Sequence, residues 1–207
     1  MSKMLTVIPD FAKPAVLQYF HKNMYEMFKD DKYLGGRGLS EWYTHKELQK
    51  LEGSKSLGDI GNYLLINQKI KKAVHEKDWI KTVEIWSHIL MDKKDAPNDK
   101  SKIWNELGWH TNYDDTSDRT DTILPQLSFV YYIKCEEDKG GYLEISEKTI
   151  HDDISDGFGE VERIKTETNK LVIFNSMHWH RVVDVHGYRY SINMDLWNNE
   201  DILKNRR

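Results

Sequence analysis

Residues 174–193 read Phe-Asn-Ser-Met-His-Trp-His-Arg-Val-Val-Asp-Val-His-Gly-Tyr-Arg-Tyr-Ser-Ile-Asn. Two runs in and beyond this stretch, Arg181–Val185 and Tyr188–Leu196, are rich in β-branched and aromatic residues, and His186-Gly187 separates them. That is the pattern of two strands joined by a tight turn. On an extended strand Arg189, Ser191 and Asn193 share a face. If that face points inward, Arg189 needs a partner, because an unpaired buried charge costs several kcal/mol. An internal bridge to an aspartate would meet the need, and so would a small carboxylate ligand gripped by the guanidinium fork.

The same alternation extends upstream. Lys102–Trp109, Leu127–Lys134, Tyr142–Ser146, Glu160–Thr166 and Lys170–Phe174 are candidate strands, punctuated by Gly140-Gly141, Asp156-Gly157-Phe158-Gly159 and Thr168-Asn169. Six or seven short strands with such punctuation predict a sandwich or barrel, not alternating β-α units. The first hundred residues follow a helical period instead. After an extended Leu5–Ile8, helices are expected over Ala12–Phe28, over Thr44–Leu51 with Thr44 and Glu47 as a capping box, weakly over Asp59–Val74, and over Asp78–Met91. Asp92–Lys100 is a charged, Pro-containing connector. The expectation is an α+β chain of one domain, residues 1–207, with residues 1–100 as mainly helical support and residues 101–198 as a β-barrel core.

Composition narrows the function. With 39% hydrophobic and 31% charged residues the chain is globular, not disordered or fibrous. Thirty basic against 34 acidic residues give −4, which argues against a general nucleic-acid binder. No apolar run approaches the ~20 residues of a membrane helix, and the start has no signal-peptide apolar region, so no membrane association is expected. The single Cys135 forbids an internal disulfide and a cysteine-based zinc site, and points to a reducing, cytoplasmic compartment. Nine histidines then direct attention to metals ligated by nitrogen and oxygen.

Six of those histidines need no special role: His21, His45, His75 and His88 fall in expected helices, and His151 and His186 in loops. His110 closes the strand Leu107-Gly108-Trp109-His110, and His180 opens a late strand, with His178 in the turn before it. Imidazoles on separate strands of a small barrel can meet in its mouth. Two imidazoles and one carboxylate bind Fe(II) and leave positions open for substrate. Trp104, Trp109 and Trp179 lie near these residues in sequence and are expected to fill core or rim.

From His110 to Trp197 the chain resembles the Fe(II)/2-oxoglutarate-dependent dioxygenases, within them the prolyl-hydroxylase-like branch. The likeness rests on Ser128-Phe129-Val130-Tyr131-Tyr132-Ile133-Lys134, on Gly140-Gly141-Tyr142-Leu143, and on the interval from His180 to Arg189 with Ser191. The opening Leu5–Phe11 is similar to the extended lead-in of many such enzymes. The resemblance implies a double-stranded β-helix, or jelly roll, with the N-terminal helices packed against it. It implies His110 and His180 as iron ligands. It implies Arg189 and Tyr132 on the distal carboxylate of 2-oxoglutarate, Ser191 as a further partner, and Val130 and Leu143 along its carbon chain. The implied reaction consumes O2 and 2-oxoglutarate, releases succinate and CO2, and hydroxylates a small-molecule or peptide substrate, a peptidyl proline being one candidate.

One position departs from the family. Its first motif is His-x-Asp, whereas this chain has His110-Thr111-Asn112-Tyr113-Asp114. Either the turn is rebuilt and Asp114 is the catalytic third ligand, or Asn112 takes the position through its carbonyl oxygen or leaves it to water or an anion. Halogenating relatives have a small residue there, and asparagine is bulkier, so halogenation is not expected. The acidic loop Asp114–Thr122 reads equally as a substrate-recognition loop or a solvated insertion. Two other classes share the barrel. One is a non-catalytic jelly-roll binding protein with a degenerate metal site, which Asn112 motivates. The other is a cupin-like metal isomerase, which has no use for Arg189 and Ser191.

Overall fold

The computed structural model describes residues 5–27, 36–37, 40–52, 56–67, 70, 79–92, 106–112 and 124–205. In chain order the elements are β1 (Leu5–Ile8), α1 (Pro14–Met27), β2 (Gly36–Arg37), β3 (Glu41–Thr44), α2 (His45–Leu48), α3 (Leu57–Ile66) and β4 (Thr82–Met91). There follow β5 (Leu107–His110), β6 (Leu127–Cys135), β7 (Tyr142–Thr149), β8 (Val161–Lys165), β9 (Lys170–Asn175), β10 (His178–Val183) and β11 (Tyr188–Trp197).

Among the described residues these strands form two antiparallel sheets. The larger runs β1-β9-β6-β11-β4-β2, with β3 also on β4; the smaller runs β5-β10-β7-β8. The larger sheet is covered on both faces. Its outer face, including Ile85, Ile89, Phe129, Tyr131 and Met194, packs on Phe20 of α1 and on Ile60 and Leu64 of α3. Its inner face meets the smaller sheet through Val130, Tyr132, Val172 and Phe174 against Leu143, Ile145 and Ile164. Each large apolar side chain buried this way contributes about 1.5–3 kcal/mol. This is the expected jelly roll with helices along one side.

Local signals place the helices. The Thr44 hydroxyl accepts from the Glu47 backbone amide at 3.1 Å, and the Thr44 amide donates to the Glu47 carboxylate at 2.8 Å, completing the expected capping box. Ser56 caps α3. That helix lies so close to the sheet that a Cβ on Gly61 would meet Ile85 Cδ1 at 2.2 Å.

The helix expected over Asp78–Met91 is instead mostly the strand β4, which pairs with β11 from Thr82 to Met91. All ten β4 residues are buried. Trp86 and Leu90 on one row of β4 and Ser87 on the other blur its alternation, so its apolar pattern imitates a buried helix. Residues 1–100 therefore supply strands β1 to β4 as well as helices. His88 consequently lies on a central strand, not on a helix. β10 also begins earlier than expected, at His178. His75, Trp104, residues 93–100 of the connector and the loop Asp114–Thr122 lie outside the described residues. Among the described residues no helix is long and apolar enough to cross a membrane.

The turn into β7 depends on one glycine. Gly141 has φ +78°, and a Cβ there would meet the Val183 carbonyl oxygen at 2.4 Å. Gly141→Ala should destabilise the fold by about 1–3 kcal/mol from the left-handed backbone conformation, with the backbone clash added. Urea unfolding checks this; an unchanged midpoint would refute it.

Candidate functional site

Strands β5 and β10 pair antiparallel with His110 opposite His180. Their ring centroids are 4.2 Å apart. Each ring directs Nδ1 at the backbone carbonyl two residues upstream: His110 at Gly108, 2.8 Å, and His180 at His178, 3.0 Å. A carbonyl can only accept, so Nδ1 carries the proton, and in the neutral ring the lone pair a metal requires is then on Nε2. Burial, reinforced by the proximity of His110, holds His180 well below the usual histidine range, so this ring is neutral. Phe174 packs edge-on against His180 at 4.9 Å. His178 directs its own Nδ1 to the Ser146 carbonyl at 3.0 Å and does not line the cavity that His110 and His180 share.

That cavity, about 270 Å³, lies between the sheets. Arg189 and Asp195 both line it from β11. Six residues of strand separate them, roughly 20 Å at ~3.3 Å per residue, so they stand toward opposite ends of its wall. Arg189 is 2% exposed, and its Nε and Nη1 have no hydrogen-bond partner. The guanidinium carbon stands 5.0 Å from the ring centre of Tyr132, whose hydroxyl is also buried without a partner. Burial pushes the Tyr132 phenol up to about 12 while Arg189 pulls the other way, so the hydroxyl remains a donor at neutral pH. Three donor atoms, one group of them cationic, thus await an acceptor in a water-poor recess. A carboxylate has the matching charge and fork geometry.

Val130 and Leu143 line the cavity as expected. Ser191 is fully buried, and its hydroxyl donates to the His88 carbonyl at 3.3 Å. Asn112 lines the cavity, with its Nδ2 donating to Ser128 Oγ at 2.9 Å and to Asp195 Oδ1 at 3.1 Å. Asp114 lies outside the described residues. Among the described residues no three His, Cys, Asp or Glu side chains are grouped to hold a metal. Trp109 stacks on Phe158 at 4.3 Å with Trp179 edge-on to the same ring, a cluster apart from the cavity lining.

Several lining residues were not anticipated, among them Trp86, His88 and Asp195. Asp195 continues the period-two row of Arg189, Ser191 and Asn193, so parity alone could have found it. Trp86 and His88 required β4 to be recognised as a strand.

Residues 103–197 match the family model described as the 2OG-Fe(II) oxygenase superfamily. The matched segment takes in β5 to β11, and the fold is like that of prolyl hydroxylases of known structure. Both findings accord with the expected class, a 2-oxoglutarate-dependent non-haem iron dioxygenase. A Pseudomonas putida prolyl-4-hydroxylase superposes with a TM-score of 0.57 at 14% identity, covering 96% of this chain and 94% of its own. A Trichoplax adhaerens prolyl hydroxylase, solved with a hypoxia-inducible-factor peptide, gives 0.57 at 11% identity over 100% and 89%. HygX from Streptomyces hygroscopicus, solved with nickel and 2-oxoglutarate, gives 0.53 at 11% over 95% and 83%. No curated protein sequence matches the chain.

The unpartnered guanidinium makes a stability prediction. Replacing a buried charge that lacks its counter-ion relieves desolvation, so Arg189→Met should stabilise the ligand-free protein by about 1–4 kcal/mol. Chemical denaturation without 2-oxoglutarate measures it. A loss of stability would mean that Arg189 serves an internal ion pair instead.

Proposed function

We propose that this chain couples oxidative decarboxylation of 2-oxoglutarate, with release of succinate and CO2, to hydroxylation of an organic substrate. The observation that carries the proposal is the shared cavity: two imidazoles whose Nδ1 atoms face backbone carbonyls and, along the same wall, a buried guanidinium whose Nε and Nη1 have no partner among the described residues. His110 and His180 would hold Fe(II), with Asp114 or Asn112 as the third position. Bound there, Fe(II) supplies activation of O2 and transfer of an oxygen atom to a C–H bond. Arg189 and the Tyr132 hydroxyl bind the distal carboxylate of 2-oxoglutarate, and Val130 and Leu143 exclude water along its chain. Ser191 steadies the β11 wall through the His88 carbonyl.

Similarity of fold to prolyl hydroxylases supports a peptidyl proline as the first substrate to try, and a short peptide or small molecule generally. A lone cysteine and an iron that must stay ferrous accord with a reducing, cytoplasmic setting.

Anaerobic addition of Fe(II) and 2-oxoglutarate should produce the visible charge-transfer band of the chelated complex, and in air succinate should accumulate. Absence of both would leave the non-catalytic binding protein as the better account. Arg189→Lys keeps the charge but loses the fork, and should raise the 2-oxoglutarate dissociation constant by about 10- to 100-fold. Titration of the visible band reads this directly, and an unchanged constant would remove Arg189 from the site.

A further inference from the structure

Asn112 sits where the family has its carboxylate, and the structure gives this asparagine an unusual setting. Its Nδ2 donates toward Ser128 Oγ at 2.9 Å and Asp195 Oδ1 at 3.1 Å, two acceptors close enough together to share one N–H. The same Asp195 oxygen accepts the Ser128 hydroxyl at 2.6 Å, and Ser128 is hydrogen-bonded to Ser176 at 2.8 Å. Ser128 and Asp195 are direct cross-strand partners on β6 and β11. Asp195 is 2% exposed, Ser128 1% and Ser176 0%. The cluster is thus a buried, connected network within the cavity wall.

The network fixes which end of the amide faces which way. With Asn112 flipped, its oxygen would meet a carboxylate oxygen and no proton would lie between them. Nδ2 therefore belongs to the wall, and Oδ1 is the end left for the cavity that Asn112 shares with His110 and His180.

We infer that Asn112 and Asp195 together replace the missing carboxylate of the metal site, Asn112 presenting Oδ1 as the third ligand and Asp195 supplying the negative charge from behind it. This rests on the assignment of His110 and His180 to the metal. An amide whose N–H bonds run to an anion is polarised toward its oxygen, which strengthens that oxygen as a donor to a cation. The site then retains two neutral imidazoles and one carboxylate, with the charge displaced by one hydrogen bond. The arrangement also accounts for asparagine at this place. Glu84, itself buried, stands opposite Asp195 on the other side of β11. An aspartate at 112 would bring its carboxylate against that of Asp195 with Glu84 nearby, and like charges so close cannot all remain ionised. For the same reason a halide is disfavoured at the third position.

The test is a charge exchange read by anaerobic equilibrium dialysis of the full chain against Fe(II), with thermal unfolding as the check on folding. Wild type should bind Fe(II), and His180→Ala should not. Asp195→Asn and Asn112→Ala should each weaken Fe(II) binding by about 10- to 100-fold, the range for losing an outer partner of a metal ligand. Asn112→Asp alone should also weaken it, whereas Asn112→Asp with Asp195→Asn should return binding to near the wild-type level. The double variant keeps an isosteric amide–carboxylate pair, so it decides the matter even where Asp195→Asn alone folds poorly. Tighter binding by Asn112→Asp alone, with Asp195→Asn silent, would overturn the inference and mark position 112 as a degenerate ligand. Loss of binding in Asp114→Ala, with both Asn112→Ala and Asp195→Asn silent, would overturn it in favour of Asp114. Failure of wild type to bind Fe(II) would overturn the metal-site assignment itself.

Discussion

Strand β11 is hydrogen-bonded along both edges, to β4 and to β6, and buried on both faces. Its outer row, including Ile192, Met194 and Leu196, is apolar and joins the core shared with the helices. Its inner row, Arg189, Ser191, Asn193 and Asp195, is polar in a place with little access to water. Each such group must find a partner or impose a desolvation cost on the fold. Ser191 finds the His88 carbonyl, and Asp195 finds Ser128 and Asn112. Arg189 Nε and Nη1 and Asn193 Nδ2 find none. The row thus sorts itself into framework groups that are satisfied and binding groups that are not. The cavity lies where the second kind open onto it.

The smaller sheet prepares its part by a local device used twice. His110 and His180 each engage the carbonyl two residues upstream in their own strand, so the tautomer is set before any metal arrives. Register across β5 and β10 sets the distance between the rings, and Phe174 limits the freedom of one of them. On β10 the alternation sends Arg181 away from His180 to Glu144, with Nε 2.6 Å from the carboxylate. One arginine is neutralised within the protein. The other, Arg189, has no such partner among the described residues.

Much of this was legible because strands whose two rows differ in polarity write their period into the sequence, as β11 does. β6 to β11 emerged from alternation and turn residues, and α2 from its capping box. β4 did not, because Trp86 and Leu90 on its inner row and Ser87 on its outer row blur the alternation on which the reading depends, and it took Trp86 and His88 out of view. β2, only two residues long, has no period to detect. The pairing of Asn112 with Asp195 spans 83 positions and joins the end of β5 to β11 of the other sheet, which no local pattern encodes. Asp195 itself was within reach, one step further along the row that revealed Arg189.

The two ends of that row carry opposite charge, and this has a consequence for what the cavity accepts. Arg189 attracts an anion to one end, while Asp195 repels anions from the other and favours a cation there. In a recess of low dielectric such fields are weakly screened and orient what enters. A dicarboxylate cosubstrate would therefore have a preferred direction, one carboxylate drawn to Arg189 and Tyr132, the other end directed toward the histidines. A metal would have a preferred end as well, near His110, His180 and Asn112. Judged by position, the asparagine is a missing ligand. On the inference drawn above, the negative charge would be carried instead by Asp195 in the same wall, and the polarity that separates metal from cosubstrate would be preserved.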